Sequence, residues 1–171
     1  MPLTDKPELF LIVLEANKGI IYKVGNLYCR EPEDRKDLVQ EIILQLWRSF
    51  DNYNAQYKHT TWIYRIALNV AISYYRKESR RSAIANPLSE ELLSFSVTDM
   101  ADNAGESISL LYRFIAELKE LERALMLLYL DEKSHKEIAE IMGITETNVA
   151  TKIGRIKKVL KQKFSQVKNQ I

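Results

Sequence analysis

Four polar side chains near the C-terminus have the types and the spacing needed to hydrogen-bond to the edges of DNA bases. They are Asn148, Thr151, Lys152 and Arg155. Intervals of three, one and three residues place them on one face of a helix, close to its start. Helix-turn-helix proteins place such amide, hydroxyl and cationic groups in the major groove. Lysines from Lys157 onward, including Lys158, suit phosphates, which position a protein on DNA without specifying the sequence.

The preceding segment contains the signals that build such a unit. Ser134 followed by Glu137 is typical of a capping box, in which each side chain satisfies a free amide of the first helical turn. Gly143 stands where a tight turn needs a positive φ, and Thr145 can cap the next helix. Along that helix the spacing predicts a buried stripe at Val149, Ile153, Ile156, Leu160 and Phe164. A surface hairpin with a solvated basic face is the alternative, but these signals agree in register and favour a DNA-binding unit.

A second basic row lies on a helix predicted from Thr60 or Thr61, either of which could cap it, to about Arg80. The row consists of Arg65, Asn69, Ser73, Arg76 and Arg80. The predicted core stripe of the same helix consists of Ile63, Ile66, Ala67, Val70, Ala71 and Tyr74. The aromatic residues beside the row are Tyr53, Tyr57, His59 and Trp62. Cations beside aromatic rings are typical of a surface for single-stranded nucleic acid. Core packing explains Trp62 equally well, and a solvated face is the alternative for the row.

The helix before this loop is predicted to begin after the residues REPED and to run to about Phe50. Its core stripe is predicted at Val39, Ile42, Ile43, Leu46 and Phe50. The opposite side shows Asp37, Gln40, Glu41, Leu44 and Gln45. Carboxylates repel DNA, so an exposed leucine among acids and amides favours a protein partner. A solvated face with one stray leucine is the alternative.

The whole chain predicts an all-α fold class, with two small helical domains joined by a flexible acidic linker. Its 171 residues are 46% hydrophobic and show helical periodicity without strand alternation. A first helix is predicted from about Lys6 to Leu27, and a short turn around Glu90. The predicted limits are 1–81, 82–107 for the linker and 108–171, with the C-terminal block helical from about Ile108 to Phe164. The net charge of +2 is segregated, because acids dominate the linker and none follows Glu146.

Several function classes are disfavoured. The single cysteine, Cys29, cannot form an internal disulfide. No apolar run is long enough to span a membrane or carries the cleavage site of a secretory signal. Together these observations predict a cytoplasmic protein. His59 and His135 are the only histidines and belong to no metal-spaced cluster. No phosphate-binding glycine loop or nucleophile elbow is present. We therefore predict no catalytic residues, no metal, no cofactor and no small-molecule ligand.

The order of these parts resembles a known family. DLVQEIILQLW, then TWIYRIALNVAISYYRK, an acidic linker and SHKEIAEIMGITETNVATKIGRIKK are similar to the extracytoplasmic-function (ECF) sigma factors, the compact branch of the bacterial sigma-70 family. The resemblance covers nearly the whole chain except the linker and the tail. It implies a specificity subunit of RNA polymerase.

The resemblance also implies a role for each surface. Contact with the coiled coil of the largest polymerase subunit maps to Asp37, Gln40, Glu41, Leu44 and Gln45. Recognition and melting of the −10 promoter element map to Tyr57, His59, Trp62, Arg65, Asn69 and Arg76. Recognition of the −35 element maps to Asn148, Thr151, Lys152, Arg155 and Lys158. Core polymerase, through its coiled coil and flap region, and promoter DNA are the implied partners, with the linker near the RNA exit path. A membrane-bound anti-sigma factor is a hypothesis.

Three residues depart from the family pattern. His59 stands where an apolar aromatic residue is usual, Ala150 where a basic residue is common, and Gly154 where a larger one is common. These departures leave the shape of the base-capture loop and the −35 preference open. The rival hypothesis is a conventional helix-turn-helix regulator that binds duplex DNA as a dimer. Such a regulator would bind DNA well alone, whereas a sigma factor should require core polymerase.

Overall fold

The computed structural model describes residues 5–85 and 105–170, and every regular element within these two ranges is helical. This confirms the predicted all-α fold class. The chain divides into two units, Met1–Glu78 and Ser79–Ile171. The predicted limits of 1–81 and 108–171 stay predictions. Most of the predicted linker, including the turn around Glu90, lies outside the described residues.

Unit 1 begins with two helices that pack against each other, α1 (Lys6–Tyr28) and α2 (Pro32–Ser49). They come close at Gly25, where an added Cβ would lie only 3.1 Å from Cγ2 of Val39. Helix α1 begins at Lys6 as predicted, and it ends at Tyr28, one residue beyond the predicted end at Leu27. The start of α2 was predicted too late, since the helix already includes Pro32. Proline fits the first turn of a helix because its missing N–H has no intrahelical partner there.

A 3₁₀ turn (Phe50–Asn52) and a short loop lead from α2 to α3 (His59–Ala85). The carbonyl of Lys58 accepts the N–H of Trp62 at 3.2 Å, so α3 begins before both threonines. The prediction that Thr60 or Thr61 caps this helix is therefore wrong, and Thr61 is instead buried in its first turn. At the other end α3 continues to Ala85, beyond the predicted end at Arg80.

The buried face of α3 is rotated from the predicted stripe. Ile63, Ala67 and Ala71 are buried as predicted. The residues that complete the face are Tyr64, Leu68 and Ile72, whereas the predicted Ile66, Val70 and Tyr74 are half-buried. The three confirmed positions lie between these two sets on the helix, so packing partners decide which set is covered.

After the last residues of α3, unit 2 contains four helices: α4 (Glu106–Ala116), α5 (Glu120–Leu130), α6 (His135–Met142) and α7 (Glu146–Lys168). The central helix is α5, which packs against α4, α6 and α7. Its side chains are buried without interruption from Arg123 to Leu128. The buried Arg123 side chain donates from Nε to the carbonyl of Leu118 at 2.9 Å, which satisfies one polar group inside the unit. This packing holds the α6–α7 pair in place.

Candidate nucleic-acid interface

The α6–α7 pair forms through local hydrogen bonds between side chains and backbone. Ser134 Oγ accepts the N–H of Glu137 at 3.1 Å, and Glu137 Oε2 accepts the N–H of Ser134 at 2.9 Å. Gly143 ends α6 in the left-handed region, with φ of 69°. Thr145 Oγ1 then accepts the N–H of Asn148 at 3.1 Å and caps α7. The predicted capping box, turn glycine and second cap are all present.

Helix α7 has one apolar face and one polar face. Val149, Ile153, Ile156 and Leu160 are buried as predicted, whereas Phe164 is half-buried with its ring 5.1 Å from that of Phe114. The residues predicted for −35 recognition are all exposed, namely Asn148, Thr151, Lys152, Arg155 and Lys158. The capped start of α7 therefore presents donors and cations on one solvent-facing surface.

Two lysines further along α7 contact their own unit. The Nζ of Lys157 lies 4.2 Å from the ring centre of Tyr129, and Lys163 pairs with Glu117. Lys157 was predicted to bind a phosphate, but this role competes with its cation–π contact to Tyr129. A cation–π contact at an exposed site contributes about 0.5–1 kcal/mol of stability. Lys158, which is rotated by about 100° from Lys157 around the helix, is exposed.

An aromatic cluster surrounds the start of α3 in unit 1. The ring of Trp62 lies 6.0 Å from Phe50 and 5.3 Å from Tyr53, and Tyr53 stacks on His59 at 4.7 Å. Trp62 is half-buried, so packing explains part of its environment. His59 is exposed. The cluster has the composition of a surface on which unstacked bases can lie.

The polar row of α3 begins beside this cluster. Arg65 lies over the half-buried ring of Tyr57 at 5.9 Å, which joins the row to the loop. Arg65, Asn69 and Arg76 are all exposed, at intervals that keep them on one face. The structure thus brings Tyr57 next to Arg65, and it links His59 with Trp62 through Tyr53.

The predicted partner face of α2 points to solvent. Asp37, Gln40 and Glu41 are exposed, Leu44 is 41% exposed, and Gln45 is half-buried. Leu44 therefore offers apolar area inside a polar face, which is typical of a protein contact.

Three further features were not assigned to any site from the sequence. Tyr53, named in the sequence beside the basic row but not assigned to −10 recognition, contacts the rings of His59 and Trp62 and the carbonyl of Tyr57. Leu9, Leu11 and Ile12 expose apolar area on α1. A groove of about 470 Å³ lies in unit 2, with Leu111, Met126 and Leu160 among its lining residues. Nothing in the sequence pattern marked this groove, because its walls come from three helices.

The described residues include no helix with the length and apolar character of a membrane span. Within the same part of the chain, no three His, Cys, Asp or Glu side chains are grouped so that they could hold a metal ion. The buried thiol of Cys29 has its pKa raised to about 12, chiefly by burial and further by the charge of Asp34. A thiol with so high a pKa stays protonated and unreactive at neutral pH.

Comparisons with known proteins match two separate parts of the chain. Family models for Sigma-70 region 2 and Sigma-70, region 4 match residues 13–81 and 108–160. The ECF RNA polymerase sigma factor SigM of Bacillus subtilis is 30% identical over 131 residues, which are 76% of this chain and 79% of SigM. The ECF RNA polymerase sigma-E factor of Haemophilus influenzae is 29% identical over 154 residues, 83% of this chain and 82% of that protein.

A solved structure has the same fold. The sigma factor RpoE of Bartonella quintana, in complex with the anti-sigma factor NepR, superposes with a TM-score of 0.70 at 18% identity, covering 94% of this chain and 96% of RpoE. These similarities support the sigma-factor hypothesis over the conventional regulator. The chain belongs to the ECF sigma factors, the RNA polymerase specificity subunits of the sigma-70 family.

Proposed function

We propose that this ECF sigma factor divides promoter recognition between its two units. Unit 2 binds the −35 element through α7, and unit 1 captures the melted −10 strand through α3 and the preceding loop. The observation that carries the proposal is the solvent-facing polar surface at the capped start of α7. The N-terminus of a recognition helix is the part that enters the major groove in helix-turn-helix proteins.

The −35 assignment is tested at Arg155. A well-placed arginine contact with a base edge contributes about 1–3 kcal/mol. Arg155→Ala is therefore expected to weaken holoenzyme binding to its promoter about tenfold or more and to leave core binding unchanged. Gln162→Ala, also exposed on α7 but two turns further on, is the matched control. Loss of the core complex in Arg155→Ala would contradict the assignment.

The −10 assignment places Tyr57, His59 and Trp62 beside the captured bases and the row Arg65, Asn69 and Arg76 along the strand. Flipping a base out of the duplex costs a few kcal/mol, which stacking and cation contacts must offset. Asn69→Ala is expected to slow the appearance of permanganate-reactive thymines in the −10 region and to spare binding of core polymerase. Unchanged melting would argue against a role for this face of α3.

The polymerase assignment places the coiled coil of the largest subunit on the exposed face of α2. The partially exposed Leu44 supplies apolar contact, and Asp37, Gln40, Glu41 and Gln45 surround it with polar groups. The double variant Gln40→Ala with Leu44→Ala is expected to lower core affinity at least tenfold with no loss of helicity. Glu15→Ala, exposed on α1, is the control. Wild-type core affinity in the double variant would place the contact elsewhere.

The groove in unit 2 is the proposed contact for the polymerase flap region. Its apolar floor includes Leu111, Met126 and Leu160, and Lys157 and Lys161 add positive charge to its lining. This combination suits an apolar helix that also carries acidic residues. Leu111→Asn is expected to weaken transcription from promoters that depend on the −35 element, with binding to the isolated coiled coil unaffected.

An anti-sigma factor is the proposed regulator. The structural neighbour RpoE is bound to the anti-sigma factor NepR, which supports a partner of this class for the present chain. The hypothesis that this partner is membrane-bound is tested by affinity capture under non-inducing conditions, with and without detergent. We further propose that the chain catalyses no reaction itself and works in the cytoplasm, beside the polymerase that performs the chemistry.

A further inference from the structure

We infer that Tyr53 is a positioning residue for −10 strand capture, which holds the rings of the loop in the orientation that receives unstacked bases. The inference rests on the proposed function of unit 1 in melting the −10 element. Tyr53 was predicted to lie beside the basic row of α3, but it was not among the residues to which −10 recognition was assigned.

Hydrogen bonds hold both the backbone and the side chain of Tyr53. Its N–H donates to the carbonyl of Phe50 at 3.2 Å, which closes the 3₁₀ turn after α2. Its hydroxyl donates to the carbonyl of Tyr57, four residues ahead. The loop between α2 and α3 is thus closed on itself through one side chain.

The ring of Tyr53 contacts two of the proposed base-binding residues. It stacks on His59 with the ring centres 4.7 Å apart and the planes inclined by 25°. It meets Trp62 edge-on at 5.3 Å and 60°. His59 remains exposed, so its imidazole is accessible to solvent although the ring stacks on Tyr53.

The consequence is that three proposed strand contacts depend on one half-buried side chain. Tyr57 is held through its backbone, and His59 and Trp62 are held through their rings. Ring pairs in these geometries are favourable beyond the area they bury, so they restrict ring motion before a base arrives. A surface that is ordered before binding loses less conformational entropy when the strand binds.

The test compares holoenzyme reconstituted with wild-type protein, Tyr53→Ala and Tyr53→Phe. Three properties are measured: core affinity, affinity for a single-stranded oligonucleotide with the non-template −10 sequence, and the rate of promoter opening by permanganate reactivity. Tyr22→Ala is the matched control, because Tyr22 is an exposed tyrosine of the same unit and is 54% accessible. The melting temperature of each free protein shows whether it folds.

Tyr53→Ala is expected to lower oligonucleotide affinity and opening rate about tenfold each, equivalent to about 1.4 kcal/mol, and to keep core affinity within twofold. Tyr53→Phe retains both ring contacts and is expected to lose no more than about threefold. Wild-type oligonucleotide affinity in Tyr53→Ala would overturn the inference, as would an equal loss in Tyr53→Phe or a parallel loss of core affinity. Failure of wild-type holoenzyme to bind the oligonucleotide would instead overturn the proposed function.

Discussion

Replacing glycine with alanine is expected to change the stability of unit 2 in opposite directions at two positions. Gly143 ends α6 with φ of 69°, whereas Gly154 lies inside α7 with an ordinary helical backbone. An added Cβ meets no atom within 4 Å at either position. Any effect of Gly→Ala therefore comes from the backbone and not from crowding.

The magnitudes follow from backbone preferences. Alanine in a helix interior is more favourable than glycine by about 1 kcal/mol, so Gly154→Ala is expected to stabilise unit 2 by about that amount. A side chain in the left-handed region costs about 1–2 kcal/mol, so Gly143→Ala is expected to destabilise the unit. For a domain of this size, about 1 kcal/mol shifts the melting temperature by about 4–8 °C. The two variants should thus move the transition in opposite directions.

The assay can separate the two units. Trp47 and Trp62, the only tryptophans, both belong to unit 1, so their fluorescence reports unit 1 alone. Urea unfolding followed by far-ultraviolet circular dichroism includes unit 2. The expected result is a shift of the dichroism transition in both variants with an unchanged fluorescence midpoint. Destabilisation by Gly154→Ala would refute the reasoning, because it would mean that this position needs glycine for a contact absent from the structure.

Three further predictions concern stability. Ser134→Ala removes the hydroxyl that caps α6 and is expected to cost about 1 kcal/mol by the same urea assay, with Ser165→Ala, exposed on α7, as control. Gly25→Val crowds Cγ2 of Val39 and is expected to cost about 1–3 kcal/mol, visible as an earlier fluorescence transition; an unchanged midpoint would show that α1 and α2 can move apart freely. The pKa of Cys29 is raised to about 12 by burial, so above pH 9 the unfolded thiol loses its proton while the folded one keeps it, and stability falls with pH. Between pH 8.5 and 10.5 the melting temperature of Cys29→Ala is expected to fall less with pH than that of the wild type. Parallel curves of melting temperature against pH would contradict this.

The α6–α7 pair could be predicted almost completely because its determinants are local. The capping box, the turn glycine and the Thr145 cap each involve groups only a few residues apart. At the start of a helix, a capping side chain accepts a hydrogen bond from a free backbone N–H of the first turn. The exposed polar face of α7 follows from the same register. These predictions needed no knowledge of the packing partners.

The start and the buried face of α3 could not be predicted in the same way. This helix begins at His59 without the expected threonine cap, and Thr61 is buried instead. Two apolar sets flank Ile63, Ala67 and Ala71, and the sequence pattern does not show which of them the rest of the unit covers; the structure buries Tyr64 and its neighbours. The proposed role of Tyr53 likewise depends on how the loop brings its ring against those of His59 and Trp62.

The length of α7 has a mechanical consequence. Its 23 residues span about 34 Å, with the proposed −35 contacts at one end and part of the proposed polymerase groove at the other. Both contacts therefore share one rigid rod, and the angle between them is set by the helical repeat. Inserting a single residue in the middle of the rod would turn one end by about 100° against the other. Any insertion or deletion within α7 would therefore reorient the proposed promoter contact relative to the proposed polymerase contact.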